Sequence, residues 1–213
     1  MTTLIKIKKE CAICGHEQNF TEVASTNRFG HMDLDTRPPE MYRSTLIYRI
    51  QFCEECAYSN GNISEPISGI NTENVRSKEY RVIADDAEIN RHAKAFLLAG
   101  HLHAAAKQWS LAGTFRLNAA WVFDDLGEGD NAKRARVKAI ENLTKYVEET
   151  ADVHFGAVIV DVHRRNGEFK EAKKIAEQLI DNGASDIIKE VLELQVKLCI
   201  DKDDRCHTVE EIQ

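Results

Sequence analysis

The sequence predicts an α+β protein in two parts, a small N-terminal β module followed by an all-α stack of helices. Two observations carry this reading. Apolar residues alternate along the segments of the first sixty residues, whereas from about residue 72 they recur at helical spacing. Two Cys-x-x-Cys steps, Cys11–Cys14 and Cys53–Cys56, bracket the first part.

The cysteines decide what the first part is. A Cys-x-x-Cys step turns both thiolates toward one point, and two such knuckles facing each other make a tetrahedral four-sulfur site suited to Zn2+. Cys11, Cys14, Cys53 and Cys56 are therefore the expected ligands of one structural zinc ion, and residues 1–60 read as a zinc ribbon. Four thiolates complete the tetrahedron, so His16 and His31 are not needed as ligands. A redox role wants a single Cys-x-x-Cys opening a helix in a βαβ setting, which this pattern lacks. Residues 1–10 alternate apolar and basic positions, with Ile5 and Ile7 on one face of a first strand. Phe20–Ser25 is its expected partner, and Ser44–Phe52 a further strand leading into Cys53.

Between the knuckles, Phe29–Met41 contains Pro38-Pro39 and reads as a loop, since neither proline can donate to a ladder. Arg37 and Arg43 are expected to pin it by pairing with Asp33, Asp35 and Glu40. The alternative is an acid–base site using His31, Asp33 and Asp35.

Residues 61–84 read as a turn-rich linker and a first helix, Thr72–Ile83. Residues 85–200 read as helices in pairs, with breaks at Gly100, Gly113, Gly127, Gly129, Gly167 and Gly183. Gly100-His-Leu-His-Ala-Ala aligns with Gly167-Glu-Phe-Lys-Glu-Ala at an offset near twice the tetratricopeptide period. The expected body is thus a tetratricopeptide-like helical-repeat stack. Its first helices would present Asn90, Lys94, Arg116, His154, Asp161 and Arg165 to a protein or peptide partner. Asp124-Asp125 suits capping or ion pairing, because adjacent helical carboxylates point apart. The run Lys133–Lys138 reads as a solvated face. Cys199 and Cys206 match no metal spacing. Residues 201–213 form an acidic tail.

Composition narrows the function. The chain has 213 residues, 43% hydrophobic and 30% charged, with a net charge of −7. No segment has the basic excess of a nucleic-acid binder, although zinc ribbons often touch DNA or RNA, which keeps that role as the rival reading. No apolar run approaches the ~20 residues of a membrane span, and the N-terminus lacks the features of a secretory signal. The expectation is a cytoplasmic, non-enzymatic protein that mediates protein–protein interaction. No nucleophile elbow, phosphate loop, HExxH or dinucleotide fingerprint is present.

Taken together, CxxCG, the segment Asp33-Leu-Asp-Thr-Arg-Pro-Pro-Glu40, CxxCxY, and helices containing Ala120-Trp121-x-x-Asp124-Asp125 resemble a bacterial family of unknown function. The resemblance implies a zinc-ribbon protein with a helical-repeat body. It implies no activity.

Overall fold

The computed structural model describes residues 2–212. Its N-terminal part is two antiparallel hairpins, each with a cysteine knuckle at its tip. Strand β1 (Thr3–Glu10) pairs with β2 (Glu17–Ser25), with Ile7 opposite Phe20. Strand β3 (Gln51–Phe52) pairs with β4 (Ser59–Asn60).

The expected strand 44–52 is mostly not a strand. Helix α1 (Glu40–Arg43) is followed by a 3-10 turn, Leu46–Arg49, and only Gln51–Phe52 is extended. The apolar positions that alternate at 46, 48, 50 and 52 also contain an i, i+4 pair. Leu46 and Ile50 both enter the central helical core. Tyr48 bonds backward to the Thr45 carbonyl, and Arg49 stacks on the Tyr42 ring at 3.8 Å. Local helical bonds and this core outweigh the strand pattern.

The expected first helix is two short ones, α2 (Thr72–Arg76) and α3 (Lys78–Ala84). Ser77 breaks them with extended backbone and caps α3 by accepting from the Tyr80 amide. The body follows as α4 (Arg91–Ala105), α5 (Trp109–Asp125), α6 (Gly129–Thr150), α7 (Val153–Arg165), α8 (Phe169–Asp181) and α9 (Asp186–Ile200). Each packs on its sequence neighbour, and α9 also returns to α7.

The expected breaks at Gly100 and Gly113 are not breaks, since both lie inside helices. They are where helices touch. A Cβ on Gly100 would sit 2.8 Å from Arg116 Cγ, and one on Gly113 2.5 Å from Leu143. The alignment of Gly100 with Gly167 therefore fails, because Gly167 is in a turn. The recurring turn lies elsewhere, at Lys107, Gly127 and Gly167, all with positive φ. In each, the next residue's amide bonds to a carbonyl five residues back: Gln108 to His103, Glu128 to Phe123, Glu168 to His163. Five residues after each left-handed position comes a fully buried alanine, Ala112, Ala132 or Ala172.

The hairpins and the helices share their cores. Cys11, Cys53, Tyr58 and Ile63 form one apolar cluster with Tyr80, Leu98 and Leu102. The segment after α9 folds back onto the Pro38–Pro39 loop. There the Leu34 amide bonds to the His207 carbonyl (2.9 Å) and the Val209 amide to the Met32 carbonyl (3.0 Å). Among the described residues no helix is long and apolar enough to cross a membrane.

Candidate metal centre

Both knuckles use the same backbone trick. The Gly15 amide bonds to the Cys11 carbonyl and the Ala57 amide to the Cys53 carbonyl, each at 2.9 Å. That turn requires left-handed backbone after the second cysteine, with φ 73° at Gly15 and 65° at Ala57. The amides of Cys11 and Cys53 then close onto the His16 and Tyr58 carbonyls. The two halves are locked together by Gln18, whose amide donates to the Phe52 carbonyl and accepts from the Glu54 N–H, both at 3.0 Å. Gln51 adds a second tie, donating to Glu22 and accepting from the Ile63 N–H. Tyr80 reaches from α3 to donate to the Ala57 carbonyl at 2.7 Å.

The four sulfurs all lie within 4.8 Å of one another. Cys11 Sγ is 3.7 Å from Cys56 Sγ, and Cys14 Sγ 3.6 Å from Cys53 Sγ. Disulfide sulfurs would be about 2.05 Å apart. A tetrahedron with metal–sulfur bonds of about 2.3 Å has edges of about 3.8 Å, close to these two separations. The cluster could thus hold a metal ion with four thiolates. Electrostatics agree. Burial pushes the Cys53 thiol up to about 11 and raises Cys56 as well. Burial also opposes ionisation of Cys14, but hydrogen bonds from the His16 amide and its neighbouring thiols hold that group below its usual value. Four ionised thiolates in this space need a cation among them.

A second polar cluster joins the Pro38–Pro39 loop to the helices. A single nitrogen of Arg43, Nη2, donates to both carboxylate oxygens of buried Asp33 (2.8 and 2.9 Å). Asp35, fully buried, accepts from Trp121 Nε1 (2.7 Å) and from the Arg37 amide (3.2 Å). Arg37 does not pair with Asp35 through its guanidinium. It reaches Asp125 instead, at 2.5 Å. Asp124 receives Arg136 and Arg165. Asp124-Asp125 is an ion-pairing element that clamps the loop to α5, α6 and α7. Cys206 closes the cluster by donating to Asp33 (2.8 Å). His31 is exposed and faces Glu210 at 3.4 Å, away from the buried Asp33 and Asp35.

Residues 4–198 match the family described as an uncharacterized protein conserved in bacteria (DUF2225). The chain belongs to this family. No curated protein and no solved structure matches it. The DUF2225 match covers both hairpins, the clamp on α5 to α7, and nearly all of α9.

The six residues read as a partner face have separate places. Asn90 caps α4 through the His92 amide, and Lys94 donates to the Ala84 carbonyl. Asp161 is buried against Arg164, so it does not lie on a surface, and Arg165, intermediate in burial, is paired with Asp124. His154 is exposed at the start of α7, and Arg116 lies half-buried between α4 and α6. Sequence reasoning missed Arg136, which it placed on a solvated face. Its signal was available: residue 136 falls on the stripe of Ala132, Ala135, Ala139 and Leu143 that α6 turns inward.

Proposed function

We propose that this DUF2225 protein is a non-enzymatic zinc-ribbon protein whose helical body mediates protein–protein interaction, with one structural Zn2+ on Cys11, Cys14, Cys53 and Cys56. The observation that carries the metal part is the cluster of four sulfurs within 4.8 Å of one another, two of whose separations, 3.6 and 3.7 Å, match an edge of a zinc–thiolate tetrahedron. Its four thiolates fill every vertex, as structural rather than catalytic zinc sites do. Zinc bound there contributes folding energy, on the order of 10 kcal/mol in isolated fingers. It is delivered where the hairpins share a core with α3 and α4.

The interaction part is supported by the helical stack. Consecutive helices leave clefts along their packing lines, which such stacks use for recognition. Asp33 and Asp35 are committed to Arg43, Trp121 and Cys206, which favours a structural role for that loop over acid–base chemistry. The test is capture of the tagged, full-length protein from its native cells, with and without nuclease. A stoichiometric, nuclease-resistant protein partner is expected. Partners that vanish with nuclease would replace this reading with nucleic-acid association.

A further inference from the structure

Helices α4 and α6 both pack on α5, and between them runs a cleft of about 570 Å3. Leu97 and His101 of α4, Arg116 and Phe123 of α5, and Arg134 and Lys138 of α6 line it. Each pair is four or seven residues apart, so every helix offers one continuous stripe. Apolar side chains make most of the wall, and the cations stand on the α5 and α6 side.

The two arginines, Arg116 and Arg134, lack the carboxylate partner that several other arginines have. Arg81, Arg91, Arg136 and Arg164 each hold a carboxylate. Arg116 donates only to the Asn142 side chain (2.7 Å) and the Lys138 carbonyl (3.3 Å). Arg134 donates to the Asn131 side chain. Among the described residues no carboxylate lies within 4.0 Å of either guanidinium. Lys138 pairs with Glu141 at 2.8 Å, a carboxylate whose charge also acts on Arg116 without bonding to it, and Asp86 is the carboxylate in the lining. Arg116 is partly desolvated, which lowers its pKa and, through its charge, adds to the lowering of His101 by burial. A half-buried guanidinium bonded only to neutral acceptors retains its attraction for a carboxylate, the stronger and bidentate partner.

We propose that this cleft docks an acidic, amphipathic segment of a partner protein, with apolar side chains against Leu97 and Phe123 and carboxylates on Arg116 and Arg134. The inference rests on the interaction reading above and supplies its site and the chemistry of its partner. From Asn131 to Lys138 the α6 wall runs about 10 Å at 1.5 Å per residue, which fits about two turns of a partner helix. The contact is small and its charges lie near solvent, so binding weakens as salt rises.

The test selects short random peptides on the full-length, metal-loaded protein and measures the enriched sequences by fluorescence anisotropy. Enriched peptides should carry paired apolar residues flanked by Asp or Glu. Arg134→Glu, at an exposed position whose side-chain bond is to Asn131, should leave the circular dichroism unchanged and weaken binding by about tenfold or more. Arg116→Gln should weaken it similarly, and a charge-reversed lysine peptide should bind Arg134→Glu better than wild type. Enrichment of neutral or basic peptides, no enrichment, or equal affinity for Arg134→Glu would overturn the proposal. A stoichiometric cellular partner captured equally well by Arg134→Glu would overturn this cleft while leaving the interaction reading intact.

Discussion

Cys206 is an exposed residue whose sulfur is turned inward to Asp33. Burial of the sulfur and the Asp33 carboxylate push its pKa up to about 12. The sign is clear: a raised thiol pKa means less thiolate below it, on the order of a thousandfold less near pH 8 than for a free cysteine. Alkylation by iodoacetamide, followed by mass spectrometry, should find Cys206 slow at pH 8 and faster as pH rises toward 12. Rapid labelling at pH 8 would show that the bond to Asp33 does not form. Asp35 carries a larger consequence. Asp35→Ala removes the acceptor of Trp121 and leaves Arg165 facing an empty position, 4.0 Å away in the native protein. Breaking a buried ionic cluster at one member costs about 3–5 kcal/mol. Urea unfolding followed by tryptophan emission should show that loss, and Asp35→Asn, which keeps an acceptor, should lose less. The role of Asp35 was only half legible. An arginine in the same loop was the natural partner by sequence distance, but Trp121 lies 86 residues away and only the fold brings it near.

At the scale of elements, the glycines teach most. Read as punctuation they misplace two helix ends, because a glycine can mark either a turn or a close crossing. Gly113→Ala should separate the two meanings. It would drive a methyl into Leu143 and cost about 1–3 kcal/mol, which thermal or denaturant unfolding would register. The turn at Lys107 is the converse case. Lysine there is held at φ 57°, which costs an L-residue about 1–2 kcal/mol, and nothing in its chemistry announces a turn. Lys107→Gly should therefore stabilise the protein by about 0.5–1 kcal/mol, after the entropy that glycine adds to the unfolded chain. An unchanged or lower midpoint would contradict the repeated turn geometry. By contrast the break expected at Gly127 and Gly129 holds, since α5 ends at Asp125 and α6 begins at Gly129. Asp152 caps α7, and the later glycines Gly167 and Gly183 do sit in left-handed turns. The strand expected at 44–52 failed because a period of two and an i, i+4 pair share the same positions.

Across the whole molecule, the first sixty residues are not an appendage. The thiol cluster lies in one apolar core with Leu98 and Leu102 of α4, and the C-terminal segment is stitched to the loop between the knuckles. Four cysteines at knuckle spacing announced the cluster from sequence, since their chemistry depends on local spacing. The clamp and the shared core depend on contacts between distant segments, which local spacing does not encode. Metal loss should accordingly loosen the hairpins together with α3 and α4, while α5 to α9 keep their helicity. The most direct measurement is the metal content of the purified protein and of Cys53→Ser, read beside limited proteolysis. One zinc per chain is predicted in the wild type. In the variant, loss of that zinc, new cleavage within residues 1–105 and largely retained far-UV helicity from α5 to α9 are predicted. A wild type with no bound zinc, or a variant with full zinc and unchanged protease resistance, would contradict a structural four-cysteine zinc site.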